Sequence, residues 1–378
     1  TPLAETPDSQ PFLLGWSANG ASVYVLEFQG TGSALRAVGV DGGAPRTLLE
    51  GAGHLSQVHT NGRDAFALVV QRANEPPRLC TWAVGDGAPR TVVTLLPAGW
   101  PAERAPRTEP FRVRSADGWD IDALITYPNI YRAGQAVPTI VMVHGGPAGV
   151  FSEAYMGGLP GPYPIAAFAE RGYAVLRVNP RGSSGYGAAF RRANVRDWGG
   201  GDLQDILTAL DDLIARGVAD PERLGIMGWS YGGYMTSWMI TQTDRFRAAS
   251  VGAGVVDLMS FGGTADIPGF LPDYMQAEIW DDVQVYMERS AIFRAQDVTT
   301  PTLIQHGRDD VRVPLGQGLE LYNALKRRGV PVEMDIYPRE GHGFQEPRAI
   351  MDVMRRNLEW FSRWLGPSGE GNANDRAS

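Results

Sequence analysis

The chain has 378 residues, 43% of them hydrophobic, and a net charge of −8, enough to bury a large core and to form more than one unit. Its 34 basic and 42 acidic residues are interspersed, so no basic face is set aside for nucleic acid or an anionic membrane, and no apolar run approaches the roughly 20 residues of a membrane span. Cys80 is the only cysteine, which excludes an intrachain disulfide and a Cys-rich metal site; its simplest reading is a buried strand residue.

The first hundred residues repeat. Gly43-Ala44-Pro45-Arg46-Thr47 recurs at 87–91, an offset of 44 residues, and Asn19-Gly20 and Asn61-Gly62 repeat at nearly the same offset. Asn-Gly is a tight-hairpin signal, and each pair precedes an alternating apolar run, 23–28 and 65–70. One unit reads as four short strands at 55–59, 65–70, 79–84 and 90–95, the pattern of a β-propeller blade. About two blades fit before Glu109, against four to eight in a closed propeller. Residues 1–108 are therefore read as a truncated propeller-like segment. It needs cover from the next domain, from a neighbouring subunit (self-association is thus an expectation) or from further blades. The start at Thr1 without Met is read as the loss of a preceding segment.

From Phe111 the texture changes. Residues 111–114 and 121–127 flank Asp117-Gly118 as a hairpin. Short apolar strands at 139–143, 174–179, 224–227, 248–252, 302–305 and 332–337 then alternate with amphipathic helices at 165–171, 202–216, 231–241, 315–328 and 347–365. Such alternation implies a mostly parallel sheet with helices on both faces, an α/β domain over 109–366. Gly199-Gly200-Gly201 lacks the Lys-Ser/Thr of a phosphate loop and reads as structural. The polar tail 367–378 reads as disordered.

Within this domain Gly228-Trp229-Ser230-Tyr231-Gly232 lies between an apolar strand and a helix. Gly-x-Ser-x-Gly alone is a weak signal, since an ordinary glycine-rich turn can carry it. In this context it reads as a sharp turn that lifts the Ser230 hydroxyl off the sheet and aims a helix start at it. A serine hydroxyl needs a base, and the base an acid to orient it. Of the five histidines, His54 and His59 lie in the repeats, and His144 and His306 end strands ahead of glycine. His342 alone occupies the loop between the last strand and the last helix, where an α/β-hydrolase keeps its base. The preceding strand ends in Asp309-Asp310, and sequence physics does not separate the two; Asp257 is a weaker third candidate. Donors for a tetrahedral oxyanion are the backbone N–H groups of Gly146, in His144-Gly145-Gly146-Pro147, and of Tyr231.

These blocks, with 179–187 (Asn-Pro-Arg-Gly-Ser-Ser-Gly-Tyr-Gly), 197–202 (Asp-Trp-Gly-Gly-Gly-Asp), 306–314 and Gly-His-Gly-Phe at 341–344, resemble the prolyl oligopeptidase family, in its acylaminoacyl-peptidase-like branch. The resemblance spans 111–365. It implies an α/β-hydrolase fold and a serine peptidase cleaving peptide bonds of oligopeptides or acylaminoacyl peptides. It places the acid on Asp310 and a substrate-contacting arginine on Arg312, and it matches Tyr186 to a tyrosine that in some relatives donates to the oxyanion. Phe261, Phe270, Tyr274 and Trp280 become specificity-pocket candidates, with ordinary core aromatics as the alternative for each. No metal or cofactor is implied, and the partner is a peptide or ester substrate, without nucleic acid or membrane. Localisation is expected to be soluble and cytoplasmic, with secretion left open. Family members carry a full propeller, typically of seven blades, which restricts entry to small peptides; the short segment here puts size selection and free-amine recognition in question. A carboxylesterase with the same triad and a non-catalytic interaction protein are the rival readings.

Overall fold

The computed structural model describes residues 3–96, 99, 104–157 and 161–366; the expected disordered tail lies outside them. Two four-stranded antiparallel meanders come first. Strands β1 (Phe12–Trp16), β2 (Ser22–Gln29), β3 (Gly32–Gly39) and β4 (Arg46–Leu49) form one sheet in chain order, and β5 (His54–Thr60), β6 (Ala65–Arg72), β7 (Glu75–Ala83) and β8 (Arg90–Thr94) form the other. The sequence repeat is thus a structural one. The Asn-Gly pairs precede β2 and β6, and the Gly-Ala-Pro-Arg-Thr pentapeptides lead into β4 and β8.

Two blades on their own would leave Val23 and Val25, or Phe66 and Leu68, exposed. The structure corrects this. The sheets face each other, burying Phe66, Leu68 and Cys80 against Tyr24, Leu35 and Leu49. On the other face of the first sheet Val23, Val25 and Val38 are buried, beside Leu3 and Pro11 of the incoming chain and Leu13 of β1.

The larger sheet has eight strands: β9 (Thr108–Arg114), β10 (Asp120–Thr126), β11 (Val137–Val143), β12 (Ala174–Val178), β13 (Ala219–Trp229), β14 (Phe246–Gly252), β15 (Thr302–Gly307) and β16 (Val332–Tyr337). Their order is β16-β15-β14-β13-β11-β12-β10-β9. The hairpin β9–β10 is antiparallel and β10 meets β12 antiparallel; the remaining pairs are parallel. The helices are α1 (Ile165–Glu170), α2 (Ala188–Arg191), α3 (Gly201–Ala215), α4 (Tyr231–Gln242), α5 (Leu258–Thr264), α6 (Phe270–Met275), α7 (Val283–Glu288), α8 (Gly316–Arg327) and α9 (Pro347–Leu365). Phe168 of α1 and Trp360 and Phe361 of α9 pack on Ile140, Val175 and Leu303. Ile206 and Leu210 of α3 and Leu321 of α8 cover Val141, Leu176 and Ile304 on the opposite face. This is the mostly parallel sheet with helices on both faces that the alternation predicts, in the α/β-hydrolase arrangement that the resemblance implies. No described helix is long and apolar enough to cross a membrane.

The amino-terminal segment is hydrogen-bonded onto this domain. Asp8 accepts the Gly185 and Gly187 N–H groups at 2.8 and 3.0 Å, Gly30 N–H donates to Gly185 O at 2.8 Å, and the Thr31 hydroxyl donates to Glu153 at 2.7 Å. Asn74 exchanges two 2.8 Å bonds with the Thr108 backbone.

Candidate active site

Ser230 joins β13 to α4 with φ 63° and ψ −122°, a left-handed conformation that a non-glycine residue holds only under constraint. The flanking glycines are required by close approach. A Cβ on Gly228 would lie 2.4 Å from the Gly232 backbone, and one on Gly232 would lie 2.2 Å from Val143 O. The elbow can close only with hydrogen at both positions.

The ends of two adjacent parallel strands, β15 and β16, supply the other parts. His342, beyond β16, places Nε2 2.9 Å from Ser230 Oγ and Nδ1 2.8 Å from Asp310 Oδ2. Asp310 follows β15 and is buried; its Oδ1 accepts the Arg312 and Val313 N–H groups at 3.0 and 2.9 Å. A carboxylate so held can only accept from the imidazole, which leaves the proton on Nδ1 and the Nε2 lone pair facing the serine. Asp309 is exposed and engages the structure through its backbone N–H, donated to Glu340 O at 2.9 Å. Asp257 caps α5, accepting the Met259 N–H at 2.8 Å.

A cleft of about 190 Å³ opens beside Ser230, lined by Gly146, Tyr231, Trp198, Val255, Phe261, Ile267, Phe270, Arg312, Val313 and His342. Clefts of about 430 and 540 Å³ on the amino-terminal sheets hold no such serine–imidazole–carboxylate line. Tyr231 is the first residue of α4, where an N–H has no intrahelical acceptor. Gly146 has φ +132°, and a Cβ there would meet the Ala148 and Gly149 nitrogens at 2.4 Å. Both residues named for their backbone donors therefore border the serine.

Of the pocket candidates, Phe261 and Phe270 line the cleft, while Tyr274 packs behind Phe270 and Trp198 with ring centroids 5.0 and 5.1 Å away. Trp280 does not belong to the site. It is 78% exposed, because it lies on the link between the short helices α6 and α7 and turns outward. Tyr186 is likewise absent from the lining. Its hydroxyl accepts from Asn179 Nδ2 at 3.0 Å and is buried, which with nearby Asp122 raises its pKa. Arg312 reaches the rim, where it pairs with Asp266 at 2.6 Å.

Sequence reasoning missed the roles of Trp198, Val255, Ile267 and Val313 as walls; only Trp198, inside the 197–202 block, carried a signal. It also missed the support beneath Tyr231. That phenol donates to the fully buried Asp202, whose carboxyl is pushed up to about 7, chiefly by burial.

His144 and His306 serve the scaffold. His144 is buried, with Nε2 2.8 Å from Ser183 Oγ and Nδ1 2.8 Å from Gly145 O; His306 Nε2 lies 2.8 Å from Val313 O. Burial pushes the His144 pKa down to about 4, whereas a free histidine titrates near about 6.5. Between those values the unfolded chain binds a proton that the folded chain refuses, so this contribution to stability is whole above about 6.5 and is lost as pH falls towards 4. Asp202, raised to about 7, works with the opposite sign, losing stability as pH rises. Comparison with a variant isolates the histidine. From pH 7.5 to 5, the wild type should lose about 2 kcal/mol more than His144→Gln in urea unfolding. Parallel losses would refute the assignment.

Residues 163–368 match the model described as "Prolyl oligopeptidase family". The "Uncharacterized peptidase YuxL" of Bacillus subtilis is 34% identical over 262 residues, covering 68% of this chain and 39% of that protein. Among solved structures, the Pyrococcus horikoshii acylaminoacyl peptidase superposes with a TM-score of 0.80 at 29% identity, covering 94% of this chain and 56% of that one. An acylaminoacyl peptidase in complex with Z-Gly-Gly-Phe-chloromethyl ketone gives 0.83 at 28% identity, covering 97% and 58%. The chain therefore spans well under two thirds of each of these relatives.

Proposed function

The chain belongs to the prolyl oligopeptidase family, and on that premise we propose that it is a serine peptidase acting through an acyl-enzyme. The observation that carries this reading is the unbroken line Asp310–His342–Ser230, with contacts of 2.8 and 2.9 Å. Ser230 Oγ attacks the scissile carbonyl carbon while its proton passes to His342 Nε2, and the N–H groups of Gly146 and Tyr231 receive the oxyanion. Collapse of the tetrahedral intermediate breaks the C–N bond, and the imidazolium hands its proton to the leaving amine. Water then repeats the sequence on the ester, releasing the acid and restoring Ser230. Asp310 orients the imidazole and stabilises its charged form.

The cleft supports an apolar acyl side chain. At about 190 Å³ with Phe261, Phe270, Ile267 and Val255 in its walls, it exceeds the roughly 150 Å³ cavity that holds benzene in another protein. The related peptidase's chloromethyl ketone inhibitor likewise ends in phenylalanine. In this reading residues 109–366 carry the chemistry, and residues 1–108 form a distinct β unit docked upon them.

Matched anilide and ester substrates test the proposal. N-acyl-Phe anilide should be cleaved with kcat/KM at least about tenfold above the N-acyl-Gly anilide, since buried apolar groups contribute on that scale. Turnover of esters alone would replace the reading with a carboxylesterase.

A further inference from the structure

The loop that carries His342 is closed by a buried carboxylate that the triad does not use. Glu340 is 1% exposed, and backbone groups take both of its oxygens: Oε2 accepts the Gln345 N–H at 2.8 Å and Oε1 the Glu346 N–H at 2.9 Å. The neighbouring cation, Arg339, pairs with Glu346 instead, at 2.8 and 2.9 Å. Glu346 is the residue just before α9. The side chain therefore reaches from the start of the loop to the start of the helix and turns residues 340–346 into a closed ring, with His342 on it. The Glu340 carbonyl also accepts the Asp309 N–H at 2.9 Å, which ties the loop of the acid to the loop of the base. On its other side the ring is held by Trp229, whose indole N–H donates to His342 O at 2.8 Å and whose ring meets Phe344 edge-on at 5.2 Å.

A carboxylate in such a place loses its hydration and recovers it only through those two N–H groups and the helix start. A helix cap alone could be provided by a residue at the helix; this one spans the loop of the base. Both ring nitrogens of His342 sit at hydrogen-bond distance, and a misplacement of about 1 Å in such a group can cost a hundredfold in rate.

We propose that Glu340 is a positioning residue for the His342 base, holding the imidazole in line between Asp310 and Ser230 by closing the 340–346 ring. The proposal rests on the triad reading above. Its test is Glu340→Gln, which keeps the size but offers one acceptor where the ring needs two, with Glu340→Asp as a second variant that keeps the charge and shortens the reach. Rates are expressed per active site, counted by titration with a fluorophosphonate, so that a misfolded fraction does not count as slow enzyme. The expected result is a kcat loss of about tenfold to a hundredfold with KM within about twofold, together with loss or broadening of the downfield proton resonance of the His342–Asp310 hydrogen bond. Unchanged kcat per site with the resonance intact in either folded variant would overturn the proposal. A wild-type protein that neither turns over substrate nor reacts with the phosphonate would instead overturn the triad reading.

Discussion

Ser230→Ala should lower kcat by about a thousandfold or more while leaving the fold in place. The size of the loss follows from the removal of the atom that forms the acyl bond, as in triad deletions elsewhere. The tolerance of the fold follows from the local geometry. Alanine has the same Cβ as serine, so it adds no strain at φ 63°. The backbone bond from Ser230 N–H to Gly252 O at 2.9 Å is kept, and the hydroxyl's hydrogen-bond partner is His342, at 2.9 Å. Steady-state kinetics and thermal melting check the two halves separately. Activity within tenfold of the wild type would remove Ser230 from its role, and a collapse of the melting transition would show that the elbow is more than a holder of the nucleophile.

Asp310→Asn should cost around ten-thousandfold, and Asp309→Asn less than tenfold. The first figure is what a wrong imidazole tautomer can cost when geometry is preserved. The site dictates that tautomer. Asp310 Oδ1 already accepts the Arg312 and Val313 N–H groups, so an asparagine must keep its oxygen there and turn its NH₂ towards His342 Nδ1. Two donors cannot face each other, so the proton moves to Nε2 and the base can no longer accept from Ser230. Asp309 is exposed and contributes its backbone N–H, which the substitution leaves untouched. Parallel measurement of kcat/KM for both variants decides the matter; equal losses, or a larger loss at Asp309, would refute the assignment.

The difference between these neighbours shows where sequence stops being sufficient. Ser230 and His342 are legible because their places depend on chain order: the serine between a strand and a helix, the histidine after the last strand. Asp309 and Asp310 share a strand end, and no local pattern separates them; the family resemblance points to the second, and the turn that aims its Oδ1 at two backbone donors is the physical difference between them. The aromatics divide for a similar reason. Phe261 and Phe270 fall on α5 and α6, short helices that wall the cleft, and Trp280 on the outward link after them. Nothing in composition distinguishes these places, because they are set by how the helices of the β14-to-β15 connection, too short for a strong period, pack over the sheet edge. Tyr186 was matched by position, but Asn179 engages its hydroxyl. In the amino-terminal segment the 44-residue offset marks both sheets, while their mutual packing depends on contacts such as Tyr24 with Phe66, 5.1 Å apart between rings, that no local pattern announces.

Covalent acylation of Ser230 is the step on which the chemistry depends, and reaction of the protein with a fluorophosphonate, followed by mass spectrometry of the digested chain, locates the adduct. One adduct per molecule is expected, on the peptide containing Ser230, absent from Ser230→Ala and formed far more slowly in Asp310→Asn. No adduct on the folded wild-type protein, or an adduct on another residue that persists in Ser230→Ala, would contradict it.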